Sequence, residues 1–195
     1  MHTELIELGR IVRLQVQQSS LKASSRDGKY YDPEPLLAVD EIVVDASGAS
    51  VERPDGPVLD VHNAMHPETK NRDNTNPLSI GFVGHYDHIR GRYGEHLVNG
   101  IAGENILVDT PRVIDLPTVA TGFVIADIDG HQVDLDNVRV AHPCVEFGRF
   151  VMNDRNAPAR DVSDVLRFLD DGIRGFYAVA AQGRHEIRVG DTVYA

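Results

Sequence analysis

The chain holds a single cysteine, Cys144, at the end of the run Val138-Arg139-Val140-Ala141-His142-Pro143-Cys144. A thiolate is a strong ligand for a soft or high-valent metal centre and the competent form for carrying a persulfide. With no second cysteine an internal disulfide is excluded, which fits a reducing compartment. Cys144 is then either a buried, inert thiol or a working one. Pro143 fixes its own φ and biases His142 toward extended conformations. His142 and Arg139 supply basic groups near the thiol, although alternation along a strand sends Arg139 and Cys144 to opposite faces.

Histidines form a second group. His62 and His66 stand four apart, and His85-Tyr86-Asp87-His88 puts two more beside a carboxylate, with His96 further on. Such a cluster could ligate zinc or, protonated, donate to phosphate. Against zinc, Pro67 follows His66 directly and no cysteine lies nearby. Arg90 and Arg92, in Ile-Arg-Gly-Arg-Tyr, and Arg174 are candidates for gripping a phosphate, since guanidinium groups bind its oxygens bidentately. Pairing with Asp87, Glu95 or Asp170 is the commoner fate of such arginines. Gly103-Glu104-Asn105 enters a strand, and Asn105 offers donors and acceptors suited to a heterocycle edge or to pinning a loop.

The elements that must position these groups read mostly as strands. Alternation runs through 9–17, and 36–44 reads as one further strand after a polar loop over 17–32. Pro54-Asp55-Gly56-Pro57 is a turn leading to an extended 58–62. Residues 63–103 are rich in Asn, His, Gly and Arg and read as a long functional loop with helix-like pieces around 87–98. Strands follow at 106–108, 113–116, 120–128, 132–135 and 138–141, with Asp129-Gly130 as a hairpin turn. One amphipathic helix is clear: Val162, Val165, Leu166, Leu169 and Ile173 share a face, with Asp161 as N-cap and Gly172 as C-terminal cap. The chain closes with strands at 175–181 and 186–194, read as a hairpin. Many short strands with one late helix indicate a single mostly β, barrel-like domain over 1–195 with a few short helices, not an alternating α/β sheet.

Bulk properties narrow the partners. The 195 residues carry a formal charge of −11, which argues against nucleic-acid and anionic-membrane surfaces while permitting a local basic pocket. No apolar run reaches membrane-spanning length, and Met1-His2-Thr3-Glu4 lacks a basic-then-apolar secretory pattern, so a cytoplasmic location is the default.

Three separated stretches resemble the MOSC family (molybdenum cofactor sulfurase C-terminal domain). Gly100-Ile101-Ala102-Gly103-Glu104-Asn105-Ile106 is similar to its Gly-Glu-Asn box, and Pro143-Cys144 to its Pro-Cys pair at a strand end. Gly175-Phe176-Tyr177, followed by Gly190-Asp191, resembles its closing strands. Asp60-Val61-His62 is similar to a reduced form of its upstream Gly-Asp-Xaa-His element. The resemblance implies a mostly β barrel fold that binds the molybdenum cofactor (molybdopterin), with Cys144 as molybdenum ligand or sulfur carrier. Gly103, Glu104, Asn105, Arg90, Arg92, His142, Arg139 and Arg174 are the candidates for holding it. The implied activity is reduction of N-hydroxylated small molecules. That would need an electron-transfer partner, because no flavin, haem or iron–sulfur motif is present. The alternative is a cofactor or persulfide carrier that delivers to an accepting protein. Both use the same cysteine and pocket and stand side by side, with a homodimer also left open. A third reading is a zinc-dependent hydrolase built on His62, His66, His85 and His88. No room exists for a pyridoxal-phosphate sulfurase module, and Lys22, Lys29 and Lys70, the only lysines, lie in loop-like sequence. Two departures stand out: Ala141 occupies the position where the family commonly has arginine, and the 63–96 region is longer than expected.

Overall fold

The computed structural model describes residues 5–26 and 28–195; the N-terminal tetrapeptide on which the secretory reading rests lies outside it, as does Asp27. The first half builds strands β1 (Glu7–Gln17), β2 (Lys22–Ser25), β3 (Gly28–Tyr31), β4 (Leu36–Val39), β5 (Glu41–Asp45), β6 (Gly48–Val51), β7 (Val58–Leu59) and β8 (Leu78–Phe82). Helix α1 (Val83–Tyr93) then leads through a loop to β9 (Ile106–Asp109) and the short α2 (Leu116–Val119). Strands β10 (Phe123–Ala126) and β11 (Gln132–Val140) precede helices α3 (Val145–Val151) and α4 (Ala159–Leu169). Strands β12 (Phe176–Ala180), β13 (His185–Arg188) and β14 (Thr192–Tyr194) finish the chain.

Seven strands close into a barrel in the order β14-β10-β11-β12-β8-β9-β1, with β1 pairing back onto β14. Closure leaves no free edge among these seven, the usual way a small all-β domain avoids edge-to-edge association. All ring pairings are antiparallel except β8 with β9, where α1 serves as the crossover that a parallel pair requires. Strand β4 extends the sheet beyond β1, and β13-β5-β6-β7 form a second small sheet. Leu8, Ile11, Leu14 and Val16 of β1 point into the core with Phe82, Phe123 and Phe176. A second cluster (Tyr86, Ile89, Leu97, Phe147, Val165 and Leu169 among it) seals α1, α3 and α4. Gly9 permits β1 to approach β9: a Cβ there would sit 1.9 Å from the Asp109 carbonyl oxygen.

The barrel-like reading is correct, and so is the late amphipathic helix. That helix buries Val162, Val165 and Leu169, each worth roughly 1.5–3 kcal/mol on burial. Several local expectations are corrected. The polar 17–32 stretch contains the β2–β3 hairpin. The 36–44 run breaks at Asp40, its halves joining different sheets. Strand β8 was hidden because all five of its residues are buried, so no alternation marks it. The 113–116 segment is the approach to α2, whose Asp115 caps the Thr118 N–H at 3.1 Å. The expected strands at 132–135 and 138–141 are one, β11, with a register shift between Asp136 and Arg139. Pro158, not Asp161, precedes α4, and Gly172 lies beyond its end at Asp170. The closing strands are no hairpin: β12 pairs with β11 and β8, while β13 pairs with β5. Among the described residues no helix is long and apolar enough to cross a membrane.

Candidate active-site cleft at Cys144

Strand β11 ends at Val140, and Ala141 still bonds the Gly175 carbonyl at 3.0 Å. Pro143 then turns the chain out of the ladder, and Cys144 becomes the residue before α3, its carbonyl accepting the Gly148 N–H at 2.9 Å. The half-buried thiol faces a cleft of about 230 Å³. Tyr31, Phe147 and Tyr177 wall the cleft with aromatic surface, the first two rings 5.0 Å apart. Lys22, Lys70, Arg174, His62 and His142 give it a basic lining in an acidic protein, with Glu68 opposing. Glu146, two residues on from Cys144, lies 3.7 Å from Lys22. Burial pushes its carboxyl up, but its own backbone N–H, Lys22 and the thiol more than offset this and hold it below the usual range.

The Gly-Glu-Asn segment lies beneath this cleft. The Gly100 and Glu104 carbonyls both accept from Gln15, Ile101 from Tyr31, Ala102 from Arg174 and Gly103 from Gln17, all between 2.7 and 3.0 Å. Three of those donors, Gln17, Tyr31 and Arg174, line the cleft. Gly103 has φ +83, and a Cβ there would meet Leu21 at 2.6 Å and Gln17 at 2.9 Å, so only glycine lets the platform form. Asn105, 1% exposed, bonds Ser79, the Gln15 carbonyl and the buried Asp60 carboxylate. Asp60 in turn orients His62, whose Nδ1 lies 3.0 Å away. Gly103, Glu104 and Asn105 therefore position residues that line the cleft, and none of the three lines it itself. That corrects the expectation of direct contact, and the reason is burial.

Glu104 is 2% exposed; Tyr86 donates to its Oε2 at 2.9 Å, and its Oε1 has no partner. Burial raises its pKa above 4.5, only partly countered by hydrogen bonding and by Arg174. The native state keeps this proton after the unfolded chain has lost it, so the group costs stability as pH rises above 4.5 toward its native value. Glu104→Gln should flatten that decline. Urea midpoints at pH 5 and pH 8 should differ less in the variant than in the wild type; an equal difference would show that Glu104 is not the group responsible.

Other expected site residues sit elsewhere. Arg90 pins the loop after α1 through the Leu97 carbonyl, Asn99 and Asp87. Arg92 stacks 4.7 Å from the Phe168 ring, and Arg139 is exposed beside Asn74 and Val179. None of the three reaches the cleft, because α1 and the outer face of β11 point away from it. His142 does line it, with Nδ1 2.8 Å from Asp170. The four histidines do not assemble. His62 is in the cleft, His66 accepts from the Glu68 N–H, His85 is buried against Phe82 and Phe176, and His88 stacks on Phe168. Among the described residues, the one cluster of three histidine, cysteine or carboxylate side chains drawn together closely enough to share a metal is the exposed Asp127, Asp129 and His131. The zinc-hydrolase reading fails on this geometry.

Sequence reasoning missed Gln17, Lys22, Tyr31, Glu68, Lys70 and Tyr177. One signal was available: the chain has three lysines, two of which line the cleft while Lys29 lines the adjoining cavity.

The model of the MOSC domain family matches residues 68–194. No curated protein matches the chain. Among solved structures, the YuaD protein from Bacillus subtilis superposes with a TM-score of 0.62 at 16% identity, over 98% of this chain and 97% of that one. A hypothetical protein gives 0.56 at 13% identity, over 98% and 68%. YiiM from Geobacillus stearothermophilus gives 0.51 at 15% identity, over 95% and 74%. At such identities the likeness is one of fold.

Proposed function

The chain belongs to the MOSC domain family, and from that membership we propose that its Cys144 cleft binds the molybdenum cofactor and reduces N-hydroxylated small molecules. The observation that carries the reading is the lone thiol set among cations. Arg174, half-buried beside it, bonds the Ala102 carbonyl and, among the described residues, pairs with no carboxylate. A cation held this way in a chain of charge −11 fits the anionic end of a ligand.

The residues present fit the cofactor. Cys144 would be the thiolate ligand, Lys22, Lys70 and Arg174 would hold the phosphate, and Gln17 would meet a polar ring edge. The cofactor supplies a two-electron redox centre when bound. Converting an N-hydroxyl group to an amine and water consumes two electrons and two protons. The electrons must come from a partner protein, since this chain carries no electron-transfer motif. Tyr31 and Phe147 keep water from one wall. His142, oriented by Asp170, lines the cleft and is placed to give a proton to the departing oxygen, as is His62, oriented by Asp60.

Protein made in a cofactor-producing host should carry near-stoichiometric molybdenum by mass spectrometry and reduce an N-hydroxylated amidine with a chemical electron donor. Cys144→Ser should lose both and still fold, because serine is a good residue before a helix. Molybdenum retained in full by the variant would refute the ligand assignment. Cyanide-releasable sulfur on Cys144 without molybdenum would replace the reductase with the sulfur-carrier alternative.

A further inference from the structure

Beside the cleft, on the far side of Tyr31, lies a small cavity of about 20 Å³ between the β2–β3 hairpin and the end of α3. We infer that this cavity is a second anion subsite, in which Lys29, Arg149 and Arg155 take a terminal phosphate group, independently of what the Cys144 cleft holds. The volume admits one or two water-sized atoms, so it suits the oxygens of an oxyanion and excludes a ring. Three cations line it against one carboxylate, Glu146, which lies 3.7 Å from Lys22 and also feels the charge of Lys29, so the cavity keeps a net positive charge.

Arg149 makes the strongest case. Its Nε is buried without an acceptor, and the guanidinium pairs with no carboxylate among the described residues. A position in the last turn of α3 accounts for a positive charge there. It does not account for the absence of any carboxylate partner among the described residues, which leaves the guanidinium charge available to an anion in the cavity it lines. Arg155 lies over the Tyr30 ring at 4.3 Å. Stacking uses the face of the guanidinium and leaves its in-plane donors at the edge, the geometry that recognises phosphate bidentately. Lys29 adds a mobile charge from the hairpin. Elsewhere, Arg184 and Arg188 are matched by Glu52, Glu41 and Glu186, whereas here three cations share the single carboxylate of Glu146.

The test is a titration of ¹⁵N-labelled protein with inorganic phosphate at constant ionic strength, following the Arg149 Nε–Hε resonance. A saturable shift is expected in the wild type and equally in Cys144→Ser and Arg174→Gln, which keeps the result separate from the cleft. Lys29→Gln and Arg155→Gln, both surface changes that should leave the fold intact, should each weaken binding roughly tenfold. Phenyl phosphate binding as well as phosphate would identify the group as the end of a larger ligand; exclusion of the ester would identify free phosphate. A shift that merely tracks chloride, that vanishes in Arg174→Gln, or whose affinity ignores Lys29 and Arg155 would overturn the subsite.

Discussion

Asn105→Asp should destabilise the protein by about 3–5 kcal/mol, the range for an uncompensated buried charge. The two side chains have the same shape, so packing is unchanged and only the hydrogen-bond arithmetic differs. Asn105 Nδ2 donates to Asp60 Oδ2 at 2.8 Å and to the Gln15 carbonyl at 3.2 Å, while its Oδ1 accepts from Ser79. An aspartate in its place turns both donations into oxygen facing oxygen, with two carboxylates in contact where Asp60 is wholly inaccessible. Either the pair is destabilised or one member takes a proton from solvent, and both outcomes cost the native state. The loss should also loosen the cleft, because Asp60 holds the Gln17 N–H at 2.7 Å and orients His62. Urea denaturation at pH 7 measures the first effect. A midpoint change equivalent to less than 1 kcal/mol would mean that this hub is far wetter than its burial implies.

The second large effect is an acid limb of stability carried by His85. Its ring is 2% exposed; Nε2 accepts from the Ile114 N–H at 2.9 Å, and Nδ1 has no partner. Burial lowers its pKa from 6.5 to about 4, with backbone contacts at Ile114 and Ile173 opposing the shift. Between those two values the unfolded chain binds a proton that the native state refuses. Stability is therefore fully present above pH 6.5 and is lost as pH falls toward 4, by roughly 3 kcal/mol in all. The direction is opposite to that of Glu104, whose cost grows as pH rises. His85→Gln, which keeps an acceptor for Ile114 but cannot titrate, should remove most of the decline between pH 6.5 and pH 4.5. The same slope in wild type and variant would assign the acid limb to carboxylates instead.

Much of the barrel was legible along the chain because its strands have one wet face. In β1, β10 and β12 buried residues alternate with less buried ones over at least part of the run, and the amphipathic face of α4 is equally plain. Strand β8 was not legible, and helix α1 was read only in its second half, within the helix-like pieces around 87–98. The first is buried throughout and shows no period; the second buries Gly84, His85 and Tyr86, residues that do not read as an apolar stripe.

The site divides in the same way. The sequence was enough to identify the family through its short motifs and to draw attention to Cys144, a lone thiol after proline at a strand end that the structure places in the cleft wall. Its surroundings required the closed barrel. Gln17, Lys22 and Tyr31 come from the first strands, His62 and Lys70 from the long loop, and Arg174 from the approach to β12. Ring closure and the carbonyls of residues 100–104 bring them to one thiol. Strand register and burial are set by pairings between residues far apart in the chain, and no periodicity or spacing within a segment encodes them. The same non-local packing removed Arg90, Arg92 and Arg139 from the cleft and scattered the histidines.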